Sequence, residues 1–197
     1  DAENRFVFPC KNTGRVCIFT DKGQLYTIKV TDLPFGKFRD KGIPVDNVSN
    51  FSSEKERLLL ITSQSALNLY RLVFVTCQSM MKVVDGGEFD VSKRTVAATK
   101  LAEDDEVVSV EILKEQKNIV LQSHDGFFLR FPLSEIPEKK KAAIGVRGMR
   151  LSEKDFIEEV YYTQNAVEQT IPYKNKTMEL NKLKLGKRDT KGTKVRA

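Results

Sequence analysis

The 197-residue sequence contains no tryptophan, one histidine and three cysteines, and each shortage narrows what the chain can do. Acid–base or nucleophilic catalysis needs convergent His, Cys or paired carboxylates, yet the one histidine sits in Ser123-His124-Asp125, where neighbours in sequence cannot form a triad. Cys10, Cys17 and Cys77 are odd in number, lie in apolar surroundings and include no CxxC pair, so they read as reduced core residues rather than a zinc site or disulfide framework. The acidic run Glu103-Asp104-Asp105-Glu106 lacks EF-hand spacing and glycine and reads as a turn cap. No GxxxxGK[ST] or GxGxxG motif follows a strand, so no phosphate-cradling loop is expected. Apolar runs long enough to span a bilayer and a secretory leader are also missing, and the expected setting is cytoplasmic, without a membrane partner. A non-catalytic chain without metal or cofactor is the expectation. Its start at Asp1, directly ahead of a strand-like segment, suggests a domain of a longer polypeptide.

What is present is basic charge, unevenly spread. The net charge is +6, from 33 Lys and Arg against 27 Asp and Glu. Residues 163–197 hold nine basic residues (Lys174, Lys176, Lys182, Lys184, Lys187, Arg188, Lys191, Lys194 and Arg196) against the three acids Glu168, Glu179 and Asp189. This segment therefore accounts for the whole excess and leaves residues 1–162 neutral in sum, an arrangement suited to a polyanionic partner or to a solvated tail.

The pattern is that of strands. Arg15–Phe19, Gln24–Val30, Arg71–Val75, Met80–Val84, Glu106–Leu113, Asn118–Gln122 and Phe127–Phe131 are short apolar or alternating runs between Gly, Asp and Ser clusters. Three junctions are copies of one another: Thr20-Asp21-Lys22-Gly23, Thr76-Cys77-Gln78-Ser79 and Ser123-His124-Asp125-Gly126. Glycine closes two of them, as a tight hairpin with positive φ requires. Downstream of each hairpin come Gly42-Ile43, Thr95-Val96 and Gly145-Val146, then Val48, Leu101 and Leu151, then Ser52, Asp105 and Asp155. A period of roughly 50 residues is that of propeller blades. The expected architecture is all-β and propeller-like, with about four blade repeats: blades in 1–162, and in 163–197 a partial last blade lacking a hairpin glycine and carrying a basic box. The repeat count leaves open whether such an array closes into a ring.

Ile18-Phe19-Thr20-Asp21-Lys22-Gly23-Gln24-Leu25-Tyr26, Gly126-Phe127-Phe128-Leu129-Arg130-Phe131-Pro132 and Ala143-Ile144-Gly145-Val146-Arg147-Gly148-Met149-Arg150-Leu151 resemble the blade repeats in the C-terminal domain of the A subunit of bacterial DNA gyrase and topoisomerase IV. The resemblance implies a β-pinwheel whose basic rim bends or wraps duplex DNA. The cleavage tyrosine would sit elsewhere in a parent that is an ATP-dependent type II topoisomerase, a heterotetramer with an ATP-binding B subunit. Two departures stand out. The second repeat has Ser79 in place of the hairpin glycine and Thr95-Val96 in place of Gly-Val, so a distorted or shortened blade is expected. The gyrase heptad Gln-Arg-Arg-Gly-Gly-Lys-Gly is matched by Gly186-Lys187-Arg188-Asp189-Thr190-Lys191-Gly192, which loses the Gly pair and favours a topoisomerase IV-like role.

Non-specific duplex binding rests on cations directed at phosphates. Each repeat places some after its hairpin: Lys37, Arg39 and Lys41; Lys93 and Arg94; Lys139, Lys140 and Lys141, followed by Arg147 and Arg150. With Lys187, Arg188, Lys191, Lys194 and Arg196 these form the candidate DNA-binding set, which a radial array would line up into a track able to hold a bent duplex. Leu180 to Leu185 are expected to dock as a strand that holds the box against the rim. The competing readings are a propeller-type protein-interaction module with a basic tail, disfavoured by the lack of the Trp-Asp dipeptides typical of such modules, and a hydrolase or lyase on a propeller scaffold.

Overall fold

The computed structural model describes residues 5–37 and 40–196. It is all-β apart from 3-10 turns and one short helix, Gln64–Leu67. The first repeat contributes β1 (Arg15–Thr20), β2 (Gln24–Lys29) and β3 (Leu58–Ser63). The second contributes β4 (Arg71–Thr76), β5 (Met80–Asp85), β6 (Thr95–Ala97) and β7 (Val107–Leu113), and the third β8 (Asn118–Ser123), β9 (Phe127–Pro132), β10 (Val146–Arg147) and β11 (Ile157–Thr163). The last is partial: β12 (Thr170–Tyr173), β13 (Lys176–Glu179) and β14 (Thr193–Lys194).

The copied junctions make copied hairpins. In each, the fourth residue donates its backbone N–H to the carbonyl of the first: Gly23 to Thr20 at 3.1 Å, Ser79 to Thr76 at 3.0 Å, Gly126 to Ser123 at 3.0 Å. The hydroxyl of the first residue accepts from the N–H that opens the returning strand, as in Met80 to Thr76 at 3.0 Å and Phe127 to Ser123 at 3.1 Å. Ser79 takes φ 65°, close to Gly23 at 72°. The hairpin β4–β5 is therefore as long as its neighbours, which corrects the expectation of distortion. The shortening falls instead in the connection 86–94, compared with 133–145 in the third repeat. In the last repeat the hairpin turns at Lys174 and Asn175, with Lys174 at φ 54° and no glycine.

After the hairpins β4–β5 and β8–β9 the chain leaves its own blade, adds a strand to the preceding one and returns, and after β12–β13 it again adds a strand to the preceding blade. Hence the sheets read β3-β1-β2-β6, β10-β5-β4-β7 and β11-β8-β9-β14, with β12-β13 a two-stranded remainder. The exchanged strands share one register: Val96 pairs with Leu25, Val146 with Met81, Thr193 with Phe128, each opposite the second residue of the returning hairpin strand. Among the described residues no sheet receives a strand from the first connection, and Gly42-Ile43 is not in a strand. The array is an unclosed β-pinwheel.

Each interface between blades is an apolar core. Phe19, Leu25 and Leu60 of the first sheet pack with Leu72, Phe74, Val84 and Val110 of the second. Val73, Val75 and Met81 pack with Ile119, Leu121, Leu129 and Phe131 of the third. Val120 and Phe128 pack with Ile171 and Leu180 of the last. Alternate residues of one strand thus serve two neighbouring cores, as in Phe74 and Val73 of β4, which is why the hairpin strands are apolar on both faces. Turns tie blades further: Val107 donates to the Asp21 carbonyl and Ile157 to that of Cys77, both at 2.8 Å. Asp105 accepts from the N–H groups of Gln78 and Glu106, and Asp155 from those of Asp125 and Phe156, so the acidic run is a turn cap.

Candidate nucleic-acid interface

Return strands β3, β7 and β11 contact one another, β7 and β11 also through Ser109 Oγ and Tyr162 Oη at 2.9 Å, so they lie toward the common axis. The exchanged strands β6, β10 and β14 occupy the opposite sheet edges, the outer rim. The loops feeding them, 90–94, 136–145 and 183–192, are therefore equivalent perimeter loops. Lys140 and Lys187 hold matching places in the last two, as do Lys141 and Arg188, while Lys93 and Arg94 lie in the shorter loop 90–94. All but Lys141 and Arg188 are exposed, and so are Lys139, Lys191, Lys194, Arg147 and Arg150.

Two of the three crossings demand glycine, whereas the strand of the second repeat enters through Thr95. Gly145 and Gly192 adopt φ 106° and 78°, and a Cβ on either would lie 2.4 Å from the carbonyl oxygen of Met81 or Phe128. Gly192-Thr193 is thus the fourth copy of the Gly-Val pair, standing as far behind Leu180 as Gly145 stands behind Leu133. The final glycine of the box is a structural residue, and Lys194 lies in β14 rather than in a loop.

The candidate cations divide by what holds them. Lys82, on β5, is fully buried, and its Nζ donates to the carbonyls of Lys140, Lys141 and Ala143 at 2.9, 2.9 and 2.6 Å. Burial pulls its pKa down to about 8, with Glu88 acting in the opposite direction. One buried ammonium thereby ties down the backbone of residues 140–143. Lys141 itself donates Nζ to the Glu88 carbonyl at 3.2 Å. Arg188 is a staple: its N–H and Nε donate to Glu135, and Nη1 to the Arg147 carbonyl at 2.8 Å. Arg147 Nε and Arg150 Nε both reach Asp189 Oδ1, at 2.6 and 3.3 Å. The Arg147 guanidinium holds the Asp189 carboxyl below its ordinary pKa against an opposing desolvation, with Arg150 adding to the lowering. Arg94 donates to the Val48 carbonyl at 3.4 Å, and the backbone carbonyl of Arg196 accepts from Lys176 at 2.7 Å.

Lys93, Lys139, Lys140, Lys187, Lys191 and Lys194 make no ion pair among the described residues, the last two standing over the Phe127 ring at 4.9 and 5.8 Å. Lys37 and Lys41 are exposed on the first connection, which joins no strand, and Arg39 lies outside the described residues. Leu180 to Leu185 do not form a strand. Leu180–Lys182 is a 3-10 turn, Leu180 is fully buried, Leu183 packs beside it, and Leu185 is half exposed, bridging to Arg130 through its backbone alone. The amphipathic spacing 180, 183 suits such a turn better than the alternation expected of a strand.

His124 is an exposed turn residue stacked on Phe156 at 4.7 Å, with Nδ1 3.1 Å from Glu158. No group of three or more potential metal ligands occurs among the described residues, and none of their helices is long and apolar enough to cross a membrane.

The chain matches the family described as DNA gyrase C-terminal domain, beta-propeller, over residues 14–59, 71–114 and 117–163. It is 31% identical over 158 residues to the A subunit of DNA gyrase from Helicobacter pylori, covering 79% of this chain and 19% of that one. The chain therefore spans about a fifth of the length of this curated relative. Among solved structures it is similar in fold to the C-terminal domain of DNA topoisomerase IV, with TM-score 0.82, 24% identity and coverage of 92% of this chain and 58% of that one. It is similar as well to the DNA gyrase A C-terminal domain, with TM-score 0.67, 20% identity and coverage of 93% and 60%.

Proposed function

The chain belongs to the DNA gyrase C-terminal domain family, and from that membership we propose that it holds bent duplex DNA along its perimeter without regard to base sequence. The observation that carries this reading is the recurrence of exposed lysines in three successive perimeter loops, Lys140 and Lys187 at one position and Lys93 in the shorter loop before them. Phosphates recur along a duplex irrespective of sequence, and a curved row of cations answers that pattern; a bend of a short site costs roughly 1 to 6 kcal/mol, which such contacts offset. In this reading the chain is the non-catalytic DNA-handling part of the A subunit of a type IIA topoisomerase in the cytoplasm, on the nucleoid. Strand cleavage belongs to the rest of that polypeptide, ATP to its B partner, and neither metal nor cofactor to this domain. Residues 1–162 supply the blades, and 163–197 the partial last blade with its box. The altered heptad, with Asp189-Thr190 where gyrase has the Gly pair, favours a topoisomerase IV-like role.

The test is binding of random-sequence duplexes at several salt concentrations. Affinity should fall steeply and linearly on a log–log scale, with a slope of about 0.9 per phosphate contact. A preference of tenfold or more for one defined site over scrambled DNA of equal length counts against the reading. Salt-insensitive binding, or none, would leave the protein-interaction alternative.

A further inference from the structure

Between the third and last repeats, two arginines converge on one carboxylate oxygen. Asp189 is placed there by backbone, not by a wandering side chain: its N–H donates to the Gly148 carbonyl at 2.6 Å, Met149 bridges to Thr190, and Arg150 donates to the Thr190 carbonyl at 2.8 Å. This pairing lays residues 188–190 beside 148–150 and aims Oδ1 at Arg147 Nε and Arg150 Nε, at 2.6 and 3.3 Å. Both arginine side chains are more than half exposed, 53% and 61%. Two forks meeting at a single anionic oxygen form the arrangement that takes a phosphate oxygen.

The matching place in the third repeat is Ala142, as far behind Leu133 as Asp189 is behind Leu180. The acid of the loop 136–145 is Glu138, four residues ahead of that place, whereas the last loop carries Asp189 among its cations. We propose that Asp189 is a resident competitor for DNA phosphate, occupying the anion position between Arg147 and Arg150 and so loosening the grip of the last perimeter segment. The proposal rests on the perimeter reading and adds a regulatory feature to it. Because the ion pairs are exposed and screened, an arriving phosphodiester displaces the carboxylate at modest cost.

Two variants separate charge from shape. Asp189→Gly removes the side chain at φ 64°, where glycine is at ease, and Asp189→Asn keeps the shape and tolerates that φ. Fluorescence anisotropy with a labelled random duplex should show both binding roughly threefold to tenfold more tightly at about 0.1 M salt, with a log–log slope steeper by up to about 2. Glu115→Gln, which removes the same charge from an exposed residue just beyond β7, controls for net charge and should change binding much less. Equal gains in Glu115→Gln and the Asp189 variants overturn the proposal, as does unchanged or weaker binding in folded Asp189 variants, which would make Asp189 an orienting partner of the arginines. If Glu115→Gln, both Asp189 variants and the unaltered chain all fail to bind, the perimeter reading falls, and the proposal with it.

Discussion

Replacing Lys82 with methionine is expected to lower the stability of the folded chain by about 2–4 kcal/mol. The substitution keeps the volume of a fully buried side chain but strips three carbonyls, those of Lys140, Lys141 and Ala143, of their donor. Each unsatisfied buried carbonyl costs about 1–3 kcal/mol, and part of that is returned because the variant no longer desolvates an ammonium. The contact between Nζ and the Phe74 ring, 5.7 Å to its centroid, is lost as well. Equilibrium unfolding in urea measures the loss directly. A change below about 0.5 kcal/mol would mean that the perimeter loop holds its own shape and that Lys82 is incidental to it.

The same group has a pH signature. Below about pH 8 the ammonium is charged in the folded and unfolded chain alike, and its desolvation weighs on the folded state in full. Between about 8 and 10.5 the folded chain releases a proton that the unfolded chain keeps, so this contribution to stability rises with pH. Its full extent is about 3 kcal/mol at 1.36 kcal/mol per pKa unit. Cys17, Tyr26 and Tyr161, each pushed up to about 12 mainly by burial, act the other way at alkaline pH, since the folded chain keeps protons that the unfolded one loses. The difference between the unaltered chain and Lys82→Met across pH 7 to 10 therefore isolates the lysine. Parallel stability curves would refute the assignment.

Lys82 also shows where the sequence stops being legible. It stands in Met80-Met81-Lys82-Val83-Val84, and alternation alone cannot tell a cation that snorkels outward from one received by a neighbouring loop. That decision is made by the strand exchange, which brings residues 140–143 over β5 from a distant part of the chain. Hairpins were readable because their turn chemistry is local: a hydroxyl at the first position and a residue tolerant of positive φ at the fourth. The exchanged strands are two or three residues long and carry no period, so only the alignment of copies marked Thr95-Val96 and Gly145-Val146. The same alignment reaches Gly192-Thr193, but there the heptad likeness masked it. A basic composition likewise made Arg188 look free, when its guanidinium is committed to Glu135 and Arg147. The basic clusters of the sequence fall on the perimeter loops, and contacts decide which of their cations stay outside ion pairs among the described residues.

Those available cations give the second large effect. Converting Lys93, Lys139, Lys140, Lys187, Lys191 and Lys194 together to glutamine should reduce duplex affinity on the order of a hundredfold or more at about 0.1 M salt, and flatten the log–log slope by up to about 5. All six are exposed and outside every ion pair among the described residues, so the folded state should tolerate the change. Arg188 is left in place because removing it would unfasten the loop and confuse lost contacts with lost structure. The decisive comparison is between equal charge changes at different places. Lys140→Gln with Lys187→Gln should flatten the slope by up to about 2, because the two residues hold one position in adjacent perimeter loops. Lys114 and Lys117, exposed between β7 and β8, belong to none of the perimeter loops, and neutralising both should leave the slope unchanged. If the two pairs behave alike, DNA responds to net charge and not to the rim, and the radial arrangement of the loops has no part in binding. If only the rim pair matters, the position of Lys140 and Lys187 is set by Gly145 and Gly192. Those are the two residues whose missing Cβ lets each loop cross to its neighbour, and the strand exchange that builds the fold is then also what aligns the cations with the phosphates.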